Sequence, residues 1–199
     1  LITVSDRAQQ NFVTYAATES GLKNVHEVTD HEFVEVIPGQ PRWHNDQIVA
    51  VIDNRASDTR ELQISGKAIS PNGLQVMSII DIKDDYIDVI ATQDALSRDL
   101  LRIGFDGSIT EISQGGIASA TTTTADLQVV VESRLDTHTR SYQLRRGVKT
   151  EHYFDSLAES PNFKSQVHVL QTGSHKVNTA VIFPQDHEYG SKKLPVMMR

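Results

Sequence analysis

No cysteine occurs in this chain, so neither a disulfide framework nor a thiolate metal site can be built from it. That absence favours a reducing compartment. No asparagine has Ser or Thr two places on, so there is no N-glycosylation acceptor. No apolar run approaches the roughly 18 residues that a membrane span needs, and no stretch reads as a signal peptide. A basic face is missing too. The net charge is −7, the pI is near 5.6, and the Lys and Arg residues are scattered. Nucleic acid and anionic lipid are therefore not expected as primary partners. Arg145, Arg146 and Lys149, and the pair Lys192 and Lys193, read as turn residues in solvent.

Familiar catalytic signatures are missing as well. There is no G-x-S-x-G for a serine on a strand-to-helix elbow. There is no GxxxxGK[ST] phosphate loop and no G-x-G-x-x-G opening a helix. His31-Glu32 is not followed by the second histidine of H-E-x-x-H. The eight histidines are spread out, with His26 and His31 bracketing an expected turn, so they read as surface or interface residues and no metal site is expected. Asp81, Asp84, Asp85 and Asp88 lack the spacing and closing Glu of a calcium loop, and read as a solvated loop between structural repeats. No catalytic, substrate-binding or metal residue is assigned, and no cofactor is expected.

What the sequence does contain is strand and turn vocabulary. Hydrophobic residues make up 38% and charged residues 23%, ordinary for a globular protein, and 199 residues allow one large domain or two small ones. Apolar residues alternate or come in runs of four to six rich in Val, Ile and Thr, bounded by Gly, Asn, Asp and Pro. The expectation is an all-β chain. One helical turn is predicted over residues 155–159, with Asp155 as its cap. Residues 121–124, a run of threonines, read as a β-prone strand or its flank.

A period is also present. QIVAVIDN, IDVIATQD and LQVVVESR align at Val49, Val89 and Val129, 40 residues apart each time. Each is followed by a second apolar strand (RELQIS, RDLLRIG, RSYQLRR) and then by Gly66, Gly107 or Gly147. NFVTYAATES with NVHEVT forms an earlier copy. About four units of roughly 40 residues predict a partial β-propeller, with a β-sandwich as the alternative that does not require the period. SPNG and FDG supply tight hairpin turns. Trp43, the single tryptophan, is expected to pack in or between blades rather than stack a ligand.

The period fails after about residue 150. Blades are expected over 1–155, a polar linker over 156–165, and a new unit over 166–199 built from QVHVLQT, KVNTAVIFP and an apolar strand in LPVMMR. The chain opens on Leu1 and stops in that apolar run, so both ends are expected to be cuts.

Several stretches resemble one family. PGQPRW (38–43), TRELQISGKAISPNGLQV (59–76) and the order SLAESP, GSHKVNTAVIFP, GSKKLPVMMR are similar to the dipeptidyl peptidase IV branch of the prolyl oligopeptidase family, most closely its bacterial members. The resemblance implies a β-propeller followed by an α/β-hydrolase domain whose first strands lie at 166–199. It also implies a bacterial cytoplasmic serine peptidase acting on short peptides. The family's catalytic Ser, Asp and His would lie beyond residue 199, leaving this fragment inactive. Aminopeptidase-type members hold the substrate ammonium with two adjacent glutamates, and no Glu-Glu pair occurs here. The competing expectation is a non-enzymatic propeller that binds or scaffolds. In either case open strand edges predict self-association.

Overall fold

The computed structural model describes every residue except 95, 124, 125 and 199. Strand-forming side chains and punctuating turns give what their pattern predicts: 17 strands in five antiparallel sheets, with no helix among the described residues. The first sheet joins β1 (Ile2–Ser5), β2 (Asn11–Thr18) and β3 (Gly21–Thr29). The second runs β4 (Arg42–His44), β5 (Gln47–Asn54), β6 (Thr59–Ile64) and β7 (Lys67–Ala68). The third runs β8 (Gln75–Ile82), β9 (Tyr86–Thr92), β10 (Asp99–Gly104) and β11 (Ile109–Glu111). The fourth runs β12 (Ile117–Thr122), β13 (Leu127–Ser133), β14 (Ser141–Arg146) and β15 (Lys149–Phe154). A separate hairpin pairs β16 (Gln166–Thr172) with β17 (Val177–Phe183). Within each sheet, strands adjacent in sequence are adjacent in space.

The third sheet is covered on both faces. Val49, Val51 and Leu62 of the second sheet pack on Ile87, Val89, Leu101 and Ile103 in one core. Ile90 and Leu100, on the other face, pack on Ala118 and Val130 of the fourth sheet in a second core. Burial on both sides explains why β9 reads as a nearly continuous apolar run and not as an alternation. It also exposes a twist in the period. Val49 and Val89 face each other across the first core, whereas Val129 points away from the third sheet because its neighbour Val130 faces inward. Side chains alternate with period two along a strand, so equal sequence spacing has not kept equal facing.

In β8, Met77 and Ile80 are extra residues in two bulges against β9. A connector over residues 30–41 fills the space beside this edge. It buries Val34 and Ile37, and Pro38 O accepts from Ile79 N at 3.2 Å. Gly39 sits at φ +86, and a Cβ there would lie 2.1 Å from Ile79 O, so only glycine fits this approach. Arg42 Nε donates to Gly39 O at 2.8 Å and closes the strap. PGQPRW thus clamps the second sheet to the third. SPNG makes the expected turn, with Gly73 at φ +86 and Leu74 N bonded to Pro71 O.

Two expected elements do not form. Residues 155–159 hold no helical turn, since Pro161 follows closely and leaves no room to propagate one. Residues 194–198 form no strand. Val196, Met197 and Met198 are 85%, 93% and 93% exposed, with no strand among the described residues paired to them to satisfy the ladder. Of the threonine run, Thr121 and Thr122 end β12 and Thr123 follows it, while Thr124 lies outside the described residues.

Candidate functional site

The junction between the third and fourth sheets is apolar at one end and ionic at the other. Asp88 stands in β9 between Ile87 and Val89, and the strand alternation turns it to the same face as Ile90. It is fully buried. Its register partner across β10 is Arg102, which donates Nε to Oδ1 at 2.9 Å and an Nη to Oδ2 at 3.1 Å. Gln128 Nε2, from β13 in the fourth sheet, donates to the same Oδ2. Two-point pairing plus a third donor is what a desolvated carboxylate requires. The Arg102 guanidinium lies 3.6 Å from the ring centroid of Tyr86, adding a cation–π contact. Burial opposes the charge on Arg102, but the hydrogen bonds and charge of Asp88 outweigh it and raise the pKa. Burial likewise raises that of the Tyr86 phenol.

The polar seam continues along the fourth sheet. Arg145, register partner of Gln128, is buried, and donates to Gln143 Oε1 at 3.1 Å and to Val148 O. Gln143 Nε2 donates to Glu132 Oε2 at 3.0 Å. Outside the seam, Lys83 bridges Asp81 and Asp126, and these partners raise its pKa. Asp81 also accepts from Thr122 Oγ1 at 3.1 Å, joining the two sheets a second time.

Two sequence expectations are corrected here. The acidic cluster is not a solvated loop: Asp84 and Asp85 are exposed, but Asp81 lies in β8 and Asp88 in β9 as register partners. Hairpin geometry separates residues that look equivalent in sequence. Arg145 is not a solvent turn residue either, because it precedes the β14 turn and points into the sheet junction, whereas Lys149 is exposed. Asp88 itself had a sequence signal: a lone carboxylate inside an apolar strand, with Arg102 across the hairpin and Gln128 one repeat on.

Other singled-out residues are dispersed. Trp43, in β4, is 45% exposed and lines a groove between the first two sheets with Lys23, His26 and Asp46. Partial burial lowers the pKa of His26. His138 packs edge-on against Phe163 and His168 edge-on against Phe183, while His187 stacks on the Phe183 ring. Among the described residues no group of three or more His, Asp or Glu is placed to hold a metal. The seam is chemistry of positioning: its carboxylate is saturated with donors and buried away from any substrate. The chain matches no model of a known protein family and no curated protein sequence.

Proposed function

We propose that this chain is the propeller-type part of a serine peptidase of the prolyl oligopeptidase family, in its dipeptidyl peptidase IV branch, with the first strands of its hydrolase domain. The observation that supports this reading most is the succession of three four-stranded antiparallel meanders, stacked face to face, whose second strands recur every 40 residues. A four-stranded meander is the unit of a propeller blade. The three-stranded first sheet is the earlier copy. A strandless stretch over 155–165 and a non-repeating hairpin then follow, with the motif order GSHKVNTAVIFP and GSKKLPVMMR. In this reading the blades restrict the active site to short or unstructured peptides, and an activated serine beyond residue 199 attacks the peptide carbonyl.

The test is the reading frame downstream of Arg199. A G-x-S-x-G stretch on a strand-turn-helix pattern supports the peptidase. Further blades or a stop codon would instead leave a binding or scaffolding module. The purified 199-residue chain should not hydrolyse an Xaa-Pro chromogenic peptide, and turnover by it would overturn the placement of the catalytic residues.

A further inference from the structure

A groove of about 510 Å³ opens where β8, β12 and the 30–41 connector meet. Its floor is apolar: the bulged Met77 and Ile80 of β8, Ile90 of β9, and Ala118 and Ala120 of β12. Both strands beside it are edges of their sheets. The outer side of β8 is partly taken, because Ile79 N bonds Pro38 O and Ile80 O accepts from Arg42. Among the described residues the outer side of β12 is bridged only at its start, where Arg98 N donates to Gly116 O at 2.8 Å and Ala118 N to Arg98 O at 2.7 Å. Beyond that bridge, no strand among the described residues lies on the outer side of Ser119 and Ala120.

Charge sets the polarity of whatever adds there. Three ionised side chains line the groove. Arg60 is paired with Glu35, and its Nε also reaches Asp53 Oδ1 at 3.1 Å. The guanidinium of Arg98 has no hydrogen-bond or ion-pair partner among the described residues. The groove therefore has one positive charge in excess on a chain whose net charge is −7.

We infer that this groove binds the C-terminal end of a short, apolar peptide, added as a strand along β12 with its free carboxylate on Arg98. Strand addition supplies backbone hydrogen bonds, the apolar floor takes alternate side chains, and a guanidinium matches a carboxylate in two-point geometry. The class of ligand rests on the peptidase reading above, since it makes peptides the molecules these blades meet. The geometry of the groove does not depend on it.

The probe is the tetrapeptide Ala-Ala-Pro-Leu, as free acid and as C-terminal amide, titrated into the ¹⁵N-labelled chain. The acid should shift the amides of Ser119 and Ala120 and bind about tenfold more tightly than the amide, a difference typical of one charge-assisted contact. Arg98→Gln should abolish that preference, and Arg98→Lys should keep part of it, both with an unchanged far-UV spectrum. Equal affinity of acid and amide, a preference that survives Arg98→Gln, or no binding at millimolar peptide would each overturn the site. None of those outcomes bears on the downstream reading frame, which tests the peptidase reading separately.

Discussion

Asp88 shows how one residue can fix a junction between sheets. Its charge is tolerated in a fully buried position because Arg102 and Gln128 satisfy it from two different sheets. Asp88→Asn keeps the shape but strands the Arg102 guanidinium without a counter-charge, and should destabilise the fold by about 3 kcal/mol, the usual cost of breaking a buried pair. Asp84→Asn, in the exposed turn of the same hairpin, should change stability by less than about 0.5 kcal/mol. Urea midpoints of both variants check this, and similar losses at the two sites would refute the assignment. Asp30 gives a second test, now in pH. Hydrogen bonds from the Glu32 backbone and from Arg55 hold its carboxyl down at about 2 against an ordinary 3.8. A carboxyl depressed in the folded state adds stability above its unfolded value, and that stability disappears as pH falls through the folded one. The Asp30 contribution should therefore be intact above pH 3.8 and lost on the way to about 2. An NMR titration of Arg55→Met should show the midpoint raised part of the way, and an unmoved midpoint would remove Arg55 from the account. The spacing of Asp81, Asp84, Asp85 and Asp88 alone did not separate them, because a hairpin turns two of them inward; the apolar neighbours of Asp88 in β9 were the one legible sign.

At the scale of elements, the strands were legible and their facing was not. β5 coincides with QIVAVIDN and β16 with QVHVLQT, because runs of β-branched residues ended by polar turns leave the chain little alternative. The 40-residue spacing of Val49, Val89 and Val129 was equally plain. What spacing could not carry was the pair of bulges in β8, or the connector from 40 residues upstream that lies against that edge. The strand expected at 194–198 failed for a related reason: a strand is made by its partner, and none among the described residues pairs with it. The connector gives a sharp prediction. Gly39→Ala puts a Cβ 2.1 Å from the carbonyl oxygen of Ile79 and forces a side chain to φ +86. It should cost about 2 kcal/mol or more, through strain and displacement of the strap. Gly66→Ala, also at positive φ but with nothing within 4 Å of the new Cβ, isolates the strain alone and should cost less. Thermal denaturation of the two variants decides, and equal losses would mean that the strap is not pressed against β8.

At the scale of the whole molecule, sheets two, three and four pack in succession. The third sheet lies under cores on both faces, but no sheet among the described residues covers the outer face of the fourth. Tyr142, Val148, Tyr153 and Phe154 are exposed on that sheet and the β14–β15 turn. The β16–β17 hairpin is its own two-stranded sheet, with Val169, Leu170, Val177 and Ile182 exposed. Two-stranded hairpins are marginal alone, so amide hydrogen exchange should be slowest in β9 and fastest in β16–β17. Open edges and apolar faces together favour pairing with a second copy over remaining single in water. A chain of 22.1 kDa should therefore show a mass in light scattering that rises with concentration. The net charge of −7 opposes that association, and screening it with salt should strengthen it. If edge pairing drives the contact, Tyr153→Lys on the edge strand β15 should suppress it, because an edge lysine blocks strand addition. A mass that stays at the monomer value across concentration and salt would show that these edges are already satisfied within one chain.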